Sequence, residues 1–289
     1  MKDWERIRKE RTDITDYVIH WVRPKYGREY VEPFVTLRDI IECGYLRSSF
    51  APRANLYNRH NKRPTVKGPY PAVSFTEQTF ENFLKSCQIL PDRYRPYGIA
   101  LYKRALYQYG GRPVIYETED ILGETLRPNE PGYEEGKEIY KNGLPKDYQY
   151  LWVRYEPIPN MDGYVVDWTH EREWRCRVNI HHNAKLGLTP KEGVPLLLPA
   201  VYNHEIKKDA RYLPKILVSH KREKELIQET IEKLSQQWLT ECQDKYLQGY
   251  FKLLPKTNVI ALDEVTDNPE AAKLDWVLLE EPSSNIKES

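Results

Sequence analysis

The feature that most constrains the fold is a long amphipathic segment near the carboxyl end of the chain. From residue 221 to about residue 247, apolar residues recur with the 3.6-residue period of an α-helix, and charged residues occupy the opposite side. The apolar stripe consists of Leu226, Ile227, Ile231, Leu234 and Trp238. The segment therefore predicts a long C-terminal helix with one buried face.

The rest of the chain is typical of short strands separated by turn residues. Residues 36–44 predict a short helix with Thr36 as its N-cap and Gly44 as its stop. No internal repeat and no Pro- or Ser-rich linker divides the chain. We predict a single α+β domain over residues 17–262, with a charged extension at 1–16 and a partly loose tail at 263–289. Candidate strands lie at 17–22, 70–76, 97–102, 112–116, 194–198, 216–219 and 258–262.

The overall charge is nearly balanced, with 44 Lys and Arg against 43 Asp and Glu and a formal net charge of +1. A domain that binds polyanions over its whole surface usually has a clear basic excess, so this balance argues against one. A local basic groove is still compatible with it. Residues 48–69 predict a long, positively charged loop that could bind nucleic acid or another anionic substrate. Its basic residues are Arg53, Arg59, Lys62, Arg63 and Lys67.

Several familiar classes of protein are excluded or disfavoured. The four cysteines are far apart and form no CxxC pair, which argues against a disulfide framework or a zinc knuckle and favours a reducing cytoplasm. The longest apolar stretch, 194–201, is too short to span a bilayer, and residues 1–11 are charged where a signal peptide is apolar. The chain has no P-loop, dinucleotide-binding, zinc-protease or nucleophile-elbow motif. His181-His182 has no accompanying ligand cluster, so we predict no metal site.

The most informative short segment is Glu171-Arg-Glu-Trp-Arg175. On a strand, alternate side chains share a face, so Glu171 and Glu173 would stand roughly 6.6 Å apart on the same side. Two carboxylates so placed need a nearby cation or a solvated cleft, and Arg175 on that face could supply the cation. The alternative interpretation is an exposed sheet face with alternating ion pairs, each of which contributes little.

Two further segments carry polar groups that could contact a ligand. Ser74 and Thr76 share one face of a predicted strand. Their two hydroxyls could orient a ligand, or they could be ordinary polar groups on a half-exposed strand with no ligand. His20 lies within the otherwise apolar first strand. A histidine there is either a hydrogen-bonded structural residue or a ligand-binding group.

Three motifs follow one another along the chain: Tyr97-Gly-Ile-Ala-Leu-Tyr-Lys103, Gly110-Gly-Arg-Pro-Val-Ile-Tyr116 and Glu171-Arg-Glu-Trp-Arg175, preceded by residues 36–44 and 70–76. In this order they resemble the AbiGi family of bacterial abortive-infection proteins. The resemblance covers roughly residues 15–180, and residues 216–234 are similar to the C-terminal region of the family. It implies a role in anti-phage defence, with a neighbour-encoded toxin or antitoxin, or a phage protein, as the partner.

A more distant resemblance is to ADP-ribosyltransferases, including DarT-like enzymes. An early His, an S-x-T strand and a late E-x-E are similar to their site, and the resemblance implies a two-sheet core with NAD as the substrate in a cleft. Carried over, Glu173 would be catalytic and Glu171 would orient the acceptor. The groups implied to bind NAD are His20, Ser74, Thr76, and Tyr102 or Tyr116 stacking on nicotinamide.

Three functions therefore stay open. The first is an NAD-dependent ADP-ribosyltransferase or NAD-cleaving effector in anti-phage defence, with protein or nucleic acid as the acceptor. The second is a non-catalytic AbiGi-like antitoxin or phage-sensing interaction protein. The third is an unrelated activity, such as nuclease chemistry that uses the carboxylate pair.

Overall fold

The chain divides into two compact units. The computed structural model describes residues 15–23, 25–26, 30–55, 58–89, 95–158, 165–179, 193–196, 198, 213–243, 248–249 and 251–267. The first unit comprises Met1–Gly44, Gln78–Ala105 and Leu196–Ser289, and the second comprises Tyr45–Glu77 and Leu106–Pro195. Most of the predicted extension at 1–16 and tail at 263–289 lies outside the described residues.

The described residues contain both helices and strands, so the α+β class is confirmed. The α-helices are α1 (Pro33–Cys43), α2 (Phe80–Ile89), α3 (Lys103–Tyr109), α4 (Lys221–Glu241) and α5 (Leu262–Asp267). The strands are β1 (Tyr17–Trp21), β2 (Lys25–Tyr26), β3 (Tyr30–Val31), β4 (Tyr45–Arg47), β5 (Pro52–Asn55), β6 (Asn58–Pro64), β7 (Ala72–Thr76), β8 (Gly98–Tyr102), β9 (Arg112–Pro113), β10 (Ile115–Glu117), β11 (Glu124–Thr125), β12 (Tyr140–Lys141), β13 (Trp152–Arg154), β14 (Glu173–Arg177), β15 (Gly193–Pro195), β16 (Lys215–Val218) and β17 (Val259–Ala261). No helix in these ranges has the length and apolar character needed to cross a bilayer.

The first unit is built on four strands in the order β17-β16-β8-β1. The β16–β17 pair is parallel, and the β8–β16 and β1–β8 pairs are antiparallel. Every residue of β8, β16 and β17 is buried, in agreement with sequences that do not alternate between apolar and polar residues. The exception in type is Lys215, a buried lysine at the start of β16. Helix α4 contacts β16 and β17, and Ile227 and Ile231 of its apolar stripe are buried. Leu226 was also predicted to lie on the buried face, and that prediction was wrong, because its side chain is 44% exposed.

Helix α4 confirms the predicted C-terminal helix, but it ends at Glu241 rather than near residue 247. At its start, the Glu223 carboxylate accepts hydrogen bonds from the backbone N–H groups of Ser219 and His220, both at 3.1 Å. At its end, Cys242 is in an extended conformation.

Helix α1 shows where the prediction for residues 36–44 was wrong. The helix begins at Pro33, so Thr36 is an interior residue whose N–H donates to the Glu32 carbonyl at 3.2 Å. Proline fits the first helical position because its fixed φ is already helical and its missing N–H would have no intrahelical partner. The predicted stop is confirmed: Gly44 has a φ of +76° and donates its N–H to the Ile40 and Ile41 carbonyls.

The second unit contains an antiparallel group of three strands in the order β7-β14-β9. The parallel pair β10–β13 and the antiparallel pairs β4–β15, β5–β6 and β11–β12 complete it. Residues 48–69 were predicted as a loop, and that prediction was wrong for most of the segment, because β5 and β6 pair within it. The like-charged arginines and the interspersed Pro and Asn had concealed the strand pattern.

A small apolar hollow in the first unit contains a buried hydroxyl without a partner. The hollow is lined by side chains of α1, α4 and the segment around Leu254, together with Thr257. Thr257 is 6% exposed, and its Oγ1 makes no hydrogen bond within the described part of the chain. A buried unsatisfied hydroxyl destabilises the folded state.

Thr257→Val is therefore expected to raise the free energy of unfolding by about 1 kcal/mol. Valine keeps the shape of threonine and removes the unsatisfied group, and the extended backbone at this position suits it. The matched control is Thr240→Val, because the exposed Thr240 hydroxyl is bonded to the Gln236 carbonyl. Denaturant titration of both variants checks the difference, and a loss of stability in Thr257→Val would contradict it.

Candidate functional site

The register of β7 and β14 brings the S-x-T and E-x-R segments side by side. Glu173 pairs with Thr76, and Arg175 pairs with Ser74. Residues opposite each other in an antiparallel pair share a face, so these four side chains project to the same side. The other face is formed by Val73, Phe75, Trp174 and Cys176. The second unit thus has a sheet face that combines a carboxylate, a guanidinium and two hydroxyls.

Glu173 is fixed by its neighbours at both backbone and side chain. Its N–H donates to the Tyr116 hydroxyl at 2.7 Å, and its carbonyl accepts from the Val114 N–H at 3.0 Å. Its Oε1 accepts from Arg175 Nε at 2.8 Å, and no hydrogen bond to Oε2 is present among the described residues. Burial raises the pKa of Tyr116 to about 12, so this hydroxyl stays protonated at neutral pH.

Arg175 is a buried cation whose guanidinium donates three hydrogen bonds, one of them to Glu173. One terminal nitrogen of its guanidinium donates to the carbonyls of Tyr150, at 2.8 Å, and Trp152, at 2.9 Å. The side chains of Arg175 and Glu173 are 6% and 12% exposed. In a pair this poorly solvated, the attraction is strong and so is the cost of removing either partner. The pair holds the Glu173 carboxylate in one orientation.

Glu171 does not share the strand with Glu173, and that prediction was wrong. Residues Thr169–Glu171 form one turn of 3₁₀-helix, and Arg172 has a φ of +43° in the left-handed region. The strand begins only at Glu173, so the alternation that would align the two carboxylates on one face does not reach Glu171. Glu171 is buried at 9% exposure instead.

Glu77 is the residue of this region that the sequence did not single out. It is 8% exposed, and its carboxylate accepts hydrogen bonds from Arg172 at 3.0 Å and from Trp174 Nε1 at 2.9 Å. Its N–H also donates to the Arg172 carbonyl at 3.2 Å. The register that pairs Glu173 with Thr76 places Arg172 opposite Glu77, one residue further along each chain segment. The contact between Glu77 and Arg172 could therefore be predicted only if the register of β7 and β14 were known.

His20 and Tyr102 belong to the first unit. Half-buried His20 pairs with Ile99 in the β1–β8 register, and Tyr102 pairs with Tyr17, with ring centres 5.9 Å apart. Among the predicted NAD-binding residues, Ser74, Thr76 and Tyr116 lie in the second unit with Glu173.

The predicted basic residues divide into two groups. Arg53 lies on β5, and Arg59, Lys62 and Arg63 lie on β6; their side chains fall outside the described structure. Lys67 follows the hairpin, is 8% exposed and forms an ion pair with Glu138, which also accepts a hydrogen bond from the Tyr140 hydroxyl. The positive charge of Lys67 is therefore compensated within the second unit.

Comparison of the chain with protein-family models, curated proteins and solved structures gave no match. Within the described ranges, no three His, Cys, Asp or Glu side chains are grouped so that they could hold a metal ion, and His181-His182 lies outside those ranges. The function must therefore be argued from the residues of the site.

Proposed function

We propose that the sheet face around Glu173 is an NAD-cleaving site, and that the protein is an NAD-dependent ADP-ribosyltransferase or NAD-cleaving effector of anti-phage defence. The observation that carries the proposal is the register that pairs Glu173 with Thr76 and Arg175 with Ser74. The order of motifs along the chain also supports it, as does their similarity to the S-x-T and E-x-E segments of ADP-ribosyltransferases. A two-sheet core of that type is part of the proposal.

In the proposed reaction, the bond between the nicotinamide nitrogen and ribose C1′ breaks, and its electron pair leaves with nicotinamide. The Glu173 carboxylate stabilises the positive charge that develops on the ribose, and preorganised charges of this kind are among the largest contributions to catalysis. Arg175 holds that carboxylate in one orientation, while Ser74 and Thr76 supply hydroxyls for the ribose. A nucleophile of the acceptor, or water, then bonds to C1′ and releases its proton to solvent.

This proposal is built on the second unit alone. The roles of His20 and Tyr102 in holding NAD, and of Glu171 in orienting the acceptor, stay predictions from the resemblance. The Glu173 Oε2 atom has the chemistry to accept a hydrogen bond from a ribose hydroxyl, since Arg175 donates to Oε1.

A second candidate is a non-catalytic antitoxin or phage-sensing protein that binds a neighbour-encoded partner. The observation that favours it is the engagement of the Glu173 carboxylate by Arg175 at 12% exposure. In this candidate function the Arg175–Glu173 pair has a structural role: it stabilises β14, because a buried charge that loses its partner destabilises the protein.

The decisive variant is Glu173→Gln. We expect it to lower the rate of nicotinamide release, or of label transfer from NAD to cell extract, by about a hundredfold or more, because the amide cannot balance the developing charge. The matched control is Glu156→Gln, which also neutralises a carboxylate two residues from its arginine, here the exposed Arg154. The control should keep the wild-type rate.

Thermal melting of both variants separates loss of chemistry from loss of fold. If the wild-type protein releases no nicotinamide and co-purifies with the product of a neighbouring gene, the enzyme proposal fails and the interaction protein replaces it. Cleavage of nucleic acid that depends on a divalent metal and not on NAD would instead support the nuclease alternative.

A further inference from the structure

Two neighbouring polar groups of the second unit have unused hydrogen-bonding capacity. A tyrosine hydroxyl both donates and accepts, whereas an ionised carboxylate oxygen only accepts. The Tyr116 hydroxyl accepts from the Glu173 N–H at 2.7 Å, and its own hydrogen has no acceptor among the residues that the structure describes. Glu173 Oε2 has no donor there either, because Arg175 donates to Oε1. The two groups therefore offer one donor and one acceptor to a ligand.

Both groups are held by the backbone and side chains around them. The Val114 N–H donates to the Glu173 carbonyl at 3.0 Å, and the Glu173 N–H donates to the Tyr116 hydroxyl. Tyr116 lies on β10, which pairs with β13. Arg175 donates to Glu173 and also to the Trp152 carbonyl of β13. A donor and an acceptor fixed in this way bind a ligand with little further loss of side-chain freedom.

The spacing of the two groups suits a pair of adjacent hydroxyls. The Tyr116 hydroxyl is 2.7 Å from the Glu173 nitrogen. A glutamate carboxylate oxygen lies within roughly 5 Å of its own backbone nitrogen, so Oε2 is at most about 8 Å from that hydroxyl. Two adjacent hydroxyls, with a hydrogen bond of about 2.7 Å at each end, can bridge a gap of this size.

The chemistry of the two groups selects among ligands. A phosphate or a carboxylate accepts from Tyr116 but has no hydrogen for Glu173 Oε2. An ammonium group donates to the carboxylate but cannot accept from the tyrosine. Adjacent hydroxyls satisfy both groups, because each hydroxyl donates and accepts. The proposed reaction puts the nicotinamide ribose beside Glu173, and this sugar carries two adjacent hydroxyls.

We propose that Tyr116 is a specificity-determining residue, which donates a hydrogen bond to one hydroxyl of the nicotinamide ribose while Glu173 Oε2 accepts one from the other. A tyrosine hydroxyl lies in the plane of its ring, so the ribose meets the edge of the ring and not its face. This role differs from the stacking on nicotinamide that the resemblance to ADP-ribosyltransferases implies for Tyr116. The site then rejects a sugar in which either hydroxyl is missing.

This inference deepens the proposed function by naming what selects the ribose, and it rests on that function for the identity of the ligand. Binding is therefore measured with carbocyclic NAD, in which a methylene group replaces the ring oxygen of the nicotinamide ribose. This ligand keeps both hydroxyls, but without the ring oxygen it cannot form the stabilised ribose cation and is not cleaved. Cleavage of NAD is followed separately as nicotinamide release, so the two proposals can fail separately.

Titration calorimetry of the full chain with carbocyclic NAD tests the role of the hydroxyl. We expect Tyr116→Phe to raise the dissociation constant about tenfold, because the ring is kept and one hydrogen bond to the ligand is lost. The matched control is Tyr109→Phe, since the buried Tyr109 hydroxyl also accepts from a backbone N–H, that of Asn179 at 3.2 Å. The control should stay within about twofold of the wild type.

The 2′-deoxy and 3′-deoxy forms of carbocyclic NAD locate the contact. One of them lacks the hydroxyl that meets Tyr116, and it should bind the wild type and Tyr116→Phe equally well. With the other, Tyr116→Phe should keep its loss of about tenfold. The wild type alone should bind each deoxy form about tenfold more weakly than the parent ligand, so this comparison holds even if Tyr116→Phe does not fold.

Four results would overturn the inference. They are no binding of carbocyclic NAD to the wild type, equal affinity of the wild type for the parent and both deoxy forms, equal affinity of Tyr116→Phe and the control for the parent, and the same loss in Tyr116→Phe with all three ligands. The last result would show that the hydroxyl acts on the fold and not on the ribose. A wild type that binds in the expected pattern but releases no nicotinamide from NAD refutes the proposed function and supports this inference.

Discussion

Replacement of Arg175 by alanine is expected to lower the free energy of unfolding by about 3 to 5 kcal/mol, the cost of breaking a buried ion pair from one side. The guanidinium donates to one carboxylate oxygen and to two backbone carbonyls. Alanine would leave the Glu173 charge uncompensated at 12% exposure and would leave the carbonyls of Tyr150 and Trp152 without these donors. For a chain of this size, such a loss lowers the melting midpoint by roughly 10 °C.

The matched control for Arg175→Ala is Arg154→Ala. Arg154 also pairs with a glutamate two residues away, with hydrogen bonds of 2.9 and 2.8 Å to Glu156, but its side chain is 48% exposed. Loss of such an exposed pair costs at most about 1 kcal/mol. Both variants remove an arginine that is paired with a glutamate two residues away, so calorimetry of the two measures how burial changes the stability cost. Equal losses in the free energy of unfolding would show that the surroundings of Arg175 are better solvated than its contacts indicate.

A second large effect is expected for Gly123→Ala, with a loss of about 3 kcal/mol or more from combined backbone strain and overpacking. Gly123 has a φ of +80° and a ψ of −147°, a combination that is essentially restricted to glycine. A Cβ there would lie 2.2 Å from the Lys141 carbonyl oxygen and 2.9 Å from the Gly143 nitrogen, both of which are backbone atoms. The β11–β12 pair would have to separate to admit the methyl group.

Gly136→Ala isolates the two causes. Gly136 has a similar φ of +78°, but an added Cβ would meet nothing within 4 Å. We expect it to lose only about 1 to 2 kcal/mol, the cost of a left-handed conformation for a residue with a Cβ. Denaturant unfolding of the two variants gives, by difference, the combined cost of the clash and of the additional backbone strain at Gly123. A Gly123→Ala variant no less stable than Gly136→Ala would refute the close approach of the two backbones.

The elements that the sequence predicted well are those whose signal is local. The stripe of α4 and the left-handed stop at Gly44 depend on neighbouring residues, and both are present. The start of α1 was misplaced because Thr36 is a good cap only when the preceding residues are extended, and Pro33 starts the helix first. The ribbon at 52–64 was missed because its strands lack the apolar alternation that marks a half-buried strand.

The site was predictable only in part, for the same reason. Ser74, Thr76 and Glu173 were chosen as separate motifs, and their alignment depends on a register between strands almost 100 residues apart. The displacement of Glu171 follows from the left-handed conformation of Arg172, which no residue-type preference predicts for arginine. The partners Glu77 and Tyr116 are reached through long-range hydrogen bonds, and sequence spacing contains no record of these.

The grip of Glu77 on Arg172 and Trp174 has a mechanical consequence. The Glu77 carboxylate accepts hydrogen bonds from Arg172 and Trp174, the residues on either side of Glu173. These bonds connect the end of β7 to the beginning of β14. A displacement of β7, which carries Ser74 and Thr76, would therefore move Glu173 on β14 as well. The hydroxyls and the carboxylate would adjust to a bound ligand together rather than separately.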